Sequence, residues 1–333
     1  MTQIAIIGAK GIVGQEILSL LHTKKFPFTE LTLFGREKSS LSYKENVFPI
    51  IPLRTESIAS YDLAFFCAGS VASEKFIPEF RKKTELIIDL SSHFRMDPLV
   101  PLIVPEVNME QAYDHFGLIA SPNCIAIIAS VALYPLHQQY RLKRAVIATY
   151  QAASGAGYRA MEALLEETEH YLLHKKNAPS FFSVPYAFNL FLHNSPTDAF
   201  GFNAEERKIQ EEIQKILSTP NCPISPTCVR VPTLRAHSMS INAEFNYDIE
   251  LSHAIDTIRN APGIQYCTNA TPQMASGEED VFCGRLRRDP SINGLDMWVM
   301  GDQLLKGAAL NAYQIAEYVM SKAANSVLNL SPE

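Results

Sequence analysis

The chain has 333 residues, 47% hydrophobic and 19% charged, which is apolar matter for two cores and too little charge for a disordered chain. Twenty-nine Lys and Arg against 35 Asp and Glu leave a formal charge of −6, with no basic stripe to neutralise phosphates, so nucleic acid is excluded as an expected partner. Six cysteines without a C-x-x-C pair exclude a disulfide framework, the start lacks a secretory n-region, and the longest apolar stretch, 125–136, is shorter than the ~18 residues of a membrane span; a cytoplasmic chain with reduced thiols is expected, with no membrane role.

Residues 4–7 form a short β-branched run that enters Gly8, Gly11 and Gly14, and residues 15–21 follow with a helical pattern. Strand, glycine turn and helix in that order open a nucleotide-binding βαβ unit. Without a Cβ the turn can approach a pyrophosphate, whose charge the helix N-terminus meets. Buried-strand candidates at 31–34, 63–66, 86–89 and 118–120 alternate with helical or loop material, which predicts a parallel sheet flanked by helices. An NAD site usually carries an acidic residue at the end of the second strand. Here the run over 34–40 is Phe-Gly-Arg-Glu-Lys-Ser-Ser. Arg36, Lys38 and Ser39 can meet a 2′-phosphate and favour NADP, whereas Glu37 opposes that reading and a solvated charged turn is the alternative.

Past Cys124 the pattern changes. Residues 146–152 read as strand, 158–173 as an amphipathic helix, and 205–217 as another with Ile209, Ile213, Ile216 and Leu217 on one face. Residues 220–226 read as a Pro-rich loop. Residues 239–245 alternate apolar and polar, the pattern of a strand with one wet face. This half predicts an antiparallel or mixed sheet with helices on one side. A helix over 304–323 is long enough to return to the first domain.

Several side chains can carry chemistry, each with a plainer alternative. Cys124 ends a Ser-Pro-Asn-Cys run before a helical apolar stretch. The helix dipole would stabilise its thiolate, yet a lone cysteine also reads as a small buried hydrophobe. Cys67 and Cys283 read as packing. His237 can exchange protons near neutral pH or be structural. Arg230 offers a planar fork to a carboxylate or is surface charge. Glu205 and Lys208, three apart, share a helix face and can be an exposed ion pair. His170 and His174 share a face too, but no third ligand is in view and no metal is expected.

Eight runs in order resemble the aspartate-β-semialdehyde dehydrogenases over nearly the whole chain: the glycine turn at 8–14, then 89–97, 104–108, 121–124, 150–157, 205–208, 230–238 and 306–309, with Gln151 27 positions after Cys124 and His237 seven after Arg230. The resemblance implies an α/β fold: a Rossmann-type parallel sheet in an NADP-binding domain, 1–125 completed by a C-terminal helix 304–333, plus an α+β catalytic and dimerisation domain with a mixed sheet, 126–303. It implies roles as well. Cys124 would be the nucleophile, Gln151 would orient the acyl intermediate and His237 would be the general acid/base. Arg230 would grip the substrate α-carboxylate, Glu205 the α-amino group, and Arg95 with Lys208 the phosphate, while Asn123 assists beside the nucleophile. Gly8, Lys10, Gly11, Ile12, Val13, Gly14, Arg36 and Ser39 would bind NADP, with Ser154, Gly155 and Gln303 near the nicotinamide.

The activity implied is NADPH-dependent reductive dephosphorylation of L-4-aspartyl phosphate to L-aspartate 4-semialdehyde through a Cys thioester, in lysine/diaminopimelate, methionine and threonine biosynthesis, by a homodimer. Residue types agree: a thiolate displaces phosphate and leaves a carbonyl able to accept hydride, and a substrate anionic at both ends needs two cationic sites. N-acetyl-glutamyl-phosphate reductase, whose substrate has no use for Glu205, and a catalytically silent nucleotide-binding paralogue are the alternatives. The chain departs from the family pattern at Ile125 and Ala126, where small hydroxyl residues are usual, at Leu90 and Gln303, where Asn is common, and at Lys10.

Overall fold

The computed structural model describes residues 2–175, 181–193 and 195–328; residues 1, 176–180, 194 and 329–333, parts of the expected domain spans, lie outside the described residues. The chain divides into two compact units, 1–122 with 308–333, and 123–307.

In the first unit β1 (Gln3–Ile7), α1 (Ile12–Thr23), β2 (Glu30–Gly35), β3 (Ser39–Tyr43), β4 (Asn46–Pro52), β5 (Tyr61–Phe66), α2 (Ser70–Phe80), β6 (Thr84–Asp89), the one-turn α3 (Pro105–Asn108) and β7 (Leu118–Ala120) build a seven-stranded sheet ordered β3-β4-β2-β1-β5-β6-β7. Every pairing is parallel except the β3/β4 hairpin. Ile4, Ile6 and Ile7 of the central strand are wholly buried, as a strand covered on both faces requires. The hairpin was not expected, because its Ser-rich first strand carries no apolar alternation. It turns at Lys44, whose φ of 52° is in the left-handed region. The last helix, Leu310–Leu328, belongs to this unit and packs against α1.

The second unit runs α4 (Cys124–Tyr140), β8 (Leu142–Gln151), α5 (Tyr158–His174), β9 (Phe191–Leu192), α6 (Ala204–Ile216), β10 (Ile224–Arg230), β11 (His237–Phe245), α7 (Leu251–Arg259), β12 (Ile264–Tyr266), the one-turn α8 (Pro272–Ala275), β13 (Val281–Asp289) and β14 (Gly294–Gly301). Its sheet is mixed and ordered β12-β13-β14-β11-β8-β10-β9. At its centre β8 pairs parallel to β10 and antiparallel to β11. That puts the ends of three strands, Gln151, Arg230 and His237, at one edge of the unit. The expected loop over 220–226 is loop only to Pro223, since β10 starts at Ile224 and includes Pro226. The neighbouring β9 covers only Val229 and Arg230, so Pro226 lies where the outer side of β10 is open and a missing N–H breaks no ladder.

The helix expected from 304 starts later. Leu305–Ala309 forms a π-turn, closed by Gly307 N donating to Asp302 O at 3.0 Å, before the regular helix begins at Leu310.

Candidate active site

In the first unit β1 delivers Gly8 into the turn with φ +87°, a region that favours glycine, and the amides of Gly8 and Ala9 both donate to Phe34 O. A Cβ on Gly14 would stand 2.5 Å from Gly8 O, so turn and helix can close this tightly only without one. By helix geometry the N–H groups of Ile12, Val13 and Gly14 have no acceptor within α1 and are suited to an anion. A groove of about 740 Å³ opens over this turn, lined in part by Gly8, Lys10, Gly11, Arg36, Glu37 and Ser39. Two cations and one anion, Lys10, Arg36 and Glu37, thus border this groove. Arg95 is also in this unit, buried, with Nε and Nη2 donated to Ser121 O and Leu90 O at 2.9 Å.

In the second unit Cys124 is the first residue of α4 and is half-buried. Asn123 caps this helix: its Oδ1 accepts from Ile125 N at 2.9 Å and Ala126 N at 3.4 Å, which satisfies two amides that helix geometry leaves without acceptors. Its Nδ2 donates to Glu205 Oε1 at 2.8 Å, and Glu205 Oε2 lies 3.6 Å from Lys208 Nζ. The side chains at 125 and 126 are fully buried, so the usual hydroxyls are replaced by packing atoms.

His237, at the start of β11, is 1% exposed and its Nδ1 accepts the backbone N–H of Ala152 at 3.0 Å. Burial, reinforced by the Arg230 guanidinium, pushes its pKa down to about 3. The ring is therefore neutral at pH 7 with its proton on Nε2. Arg230, also buried, donates Nη1 to Ala152 O at 2.7 Å and lies over the Phe182 ring at 5.8 Å. A Cβ at Gly155 would meet His237 Nε2 at 2.8 Å and Arg230 Nη1 at 3.4 Å. Gln151, paired with Arg230 across β8 and β10, is 2% exposed, and its Nε2 has no hydrogen-bond acceptor among the described residues. A buried donor without a partner is costly unless a ligand completes it.

Gln303 joins these parts. Its Oε1 accepts from Ala236 N at 2.9 Å and its Nε2 donates to Ser154 Oγ, so this amide braces the segments that carry His237 and Gly155. A Cβ at Gly307 would stand 2.9 Å from the Cys124 Cβ and 3.3 Å from the Gln303 Cβ. The second unit thus gathers Cys124, Asn123, Gln151, Ser154, Gly155, Glu205, Lys208, Arg230, His237 and Gln303.

Three side chains here carried no recognisable signal in the sequence. Glu212 is buried on α6 with Oε2 accepting from Asn123 N. Asp302, fully buried, accepts from Arg235 Nε at 2.6 Å and Gly277 N at 2.7 Å. His193, half-buried beyond β9, has its pKa lowered first by burial, with Arg230 and Lys208 adding to the shift and Glu205 opposing it. The His170 and His174 rings do lie together, 4.5 Å apart and tilted by 48°, but among the described residues no group of three or more His, Cys, Asp or Glu could hold a metal. Among them, too, no helix is long and apolar enough to cross a membrane.

Residues 3–115 match the family model described as semialdehyde dehydrogenase, NAD binding domain, and 133–306 match semialdehyde dehydrogenase, dimerisation domain. The aspartate-semialdehyde dehydrogenase of Synechocystis sp. is 43% identical over 96% of this chain and 98% of its own length. The chain belongs to the aspartate-semialdehyde dehydrogenase family. The dehydrogenase of Aquifex aeolicus is 40% identical over 96% of this chain and 98% of its own. Among solved structures, aspartate semialdehyde dehydrogenase II of Vibrio cholerae superposes with a TM-score of 0.92 at 33% identity, covering 96% of this chain and 99% of that one; the same protein complexed with ASA gives 0.91 at 32%, covering 96% and 98%.

Proposed function

We propose that the chain is an NADP-dependent aspartate-semialdehyde dehydrogenase that converts L-4-aspartyl phosphate and NADPH into L-aspartate 4-semialdehyde, phosphate and NADP, on the route to lysine/diaminopimelate, methionine and threonine. The observation that carries this reading is the presence, within one unit, of a half-buried Cys124 at a capped helix start and of a buried Gln151 amide nitrogen that has no hydrogen-bond partner among the described residues.

Cys124 Sγ attacks the acyl carbon, the bond to phosphate breaks, and a thioester forms. Gln151 Nε2 donates to the acyl oxygen and orients the intermediate. His237 works at Nε2, because Nδ1 is taken by Ala152 N–H, and presents a second donor to the oxyanion as it develops. When bound, NADPH would supply the hydride; the 8–14 turn, Lys10, Arg36 and Ser39 are assigned to hold it, and Ser154, Gly155 and Gln303 are assigned to its nicotinamide end. Collapse of the oxyanion expels the Cys124 thiolate, so the sulfur ends the cycle as it began it.

Arg230 is assigned to the α-carboxylate and Glu205 to the α-ammonium group, with Asn123 holding Glu205 in place. Lys208 is assigned to the phosphate, as is Arg95 on its family motif. The match of 133–306 to a dimerisation-domain model supports a homodimer, and six cysteines without a disulfide framework support a cytoplasmic setting. The test is NADPH formation from the semialdehyde, phosphate and NADP. Cys124→Ala should lower the rate by several powers of ten, and activity that survives it removes the covalent route.

A further inference from the structure

We propose that Glu212 is a positioning residue for this reaction: its carboxylate completes, from a neighbouring helix, the cap of the helix that carries Cys124. The proposal rests on the reading of Cys124 as the nucleophile.

A helix start is well closed when the N-cap side chain takes the amide of the third helical residue and that residue's Glu or Gln reaches back to the N-cap amide. α6 does this by itself: Asn203 Oδ1 accepts from Glu206 N at 3.0 Å and Glu206 Oε2 from Asn203 N at 2.9 Å. α4 cannot. Its N-cap Asn123 makes the forward bonds, but the third helical residue is Ala126, which has nothing to return. Glu212 makes the return bond instead, accepting from Asn123 N at 2.5 Å. It is 1% exposed, and Asn123 itself is 8% exposed, so no open solvent stands ready to take over the amide.

Glu205 and Glu212 are seven apart on α6, two turns along one face, and both bind Asn123. With Asn123 O accepting from Ile127 N at 2.9 Å, the residue is held through its amide, its carbonyl and both side-chain polar atoms. Cys124 is the next residue. Its direction of departure from the backbone therefore depends on Asn123 being fixed, and among the described residues Glu212 is the anchor outside both α4 and the assigned substrate residues.

The test separates reach from charge. Glu212→Gln keeps an oxygen at the same distance and loses the charge; Glu212→Asp keeps the charge and withdraws the oxygen by one methylene. Alkylation of Cys124 by iodoacetamide between pH 6 and 9, read on its own peptide by mass spectrometry, needs neither substrate nor cofactor. We expect Glu212→Asp to slow it by about tenfold, with a matching fall in kcat and little change in KM, and Glu212→Gln to stay near the parent. Cys228 and Cys283, both buried, should remain unlabelled in folded protein; if Glu212→Asp exposes them, Glu212→Met, of similar length without the carboxylate, takes its place and should show the same slowing. Parent-like alkylation in Glu212→Asp, or in Glu212→Met where it is substituted, overturns the proposal, as does Glu212→Gln slowed as much as that variant. A parent that lacks semialdehyde activity but shows this alkylation pattern sinks the substrate reading and leaves the positioning of Cys124 standing.

Discussion

The backbone N–H of Ala152 points at Nδ1 of His237 from 3.0 Å, and this one bond leaves Nε2 as the ring nitrogen that carries the proton. It also sets a pH dependence. With the folded pKa pushed down to about 3 from the usual 6.5, the unfolded chain binds a proton below pH 6.5 that the folded chain refuses. Stability is therefore lost as the pH falls from about 6.5 toward 3, at up to about 1.4 kcal/mol per unit, and this contribution is flat above that window. His115, His137 and His193, lowered by burial in the same direction, add to the slope. His237→Asn, whose Oδ1 can replace Nδ1 as the acceptor, should reduce the loss between pH 7 and pH 5 by roughly 2 kcal/mol, read from denaturant unfolding curves at the two values.

Gly155→Ala should damage catalysis more than folding. The added methyl would stand 2.8 Å from both Cε1 and Nε2 of His237, so the ring or the 153–156 turn must shift. Displacing an oriented donor by a few tenths of an ångström should cost about tenfold or more in kcat, against about 1–3 kcal/mol in stability. Steady-state kinetics beside a thermal melt checks the ratio; an unchanged kcat would place Nε2 outside the reaction.

Thiol labelling should follow a definite order. Burial pushes Cys283 up to about 12, and raises Cys67 and Cys228 above the usual thiol range, the last with Glu205, Glu206 and Cys124 adding to it. Cys124, half-buried at the start of α4, should react before these three near pH 7. Gly307→Ala, which brings a methyl to 2.9 Å from the Cys124 Cβ, should slow that labelling and leave the others as they were.

Cofactor choice should depend on Arg36. It borders the groove beside Glu37, and Arg36→Ser should raise KM for NADPH by about tenfold while KM for NADH moves far less. Equal changes for the two cofactors would mean that Arg36 does not sense the 2′-phosphate.

The first sheet was legible because its core strands are short β-branched or aromatic runs bounded by turns, and Ile4 to Ile7 with Gly8 show this most clearly. The β3/β4 hairpin escaped since Ser39 to Ser42 has only one apolar member. Pro226 disguised a strand as a loop, because whether a neighbouring strand requires its N–H cannot be read from the chain alone. The residues proposed to carry the chemistry stand in recognisable runs. Glu212 does not: a glutamate in the middle of a charged helix looks solvated until α4 is seen to lack the residue that would close its own cap. Gln303 is expected near the nicotinamide from the family resemblance; what the structure shows is its amide tying Ala236 to Ser154, a bracing duty that no local pattern announces.

Because Asn123 takes the amides of Ile125 and Ala126 and Glu212 takes the amide of Asn123, the side chains of the two residues after Cys124 have no backbone group to satisfy and answer only to the apolar interior around them. Positions 125 and 126 are thus open to drift among hydrocarbon side chains of suitable volume, and a protein of this kind can trade hydroxyls for methyls there while the sulfur keeps its station.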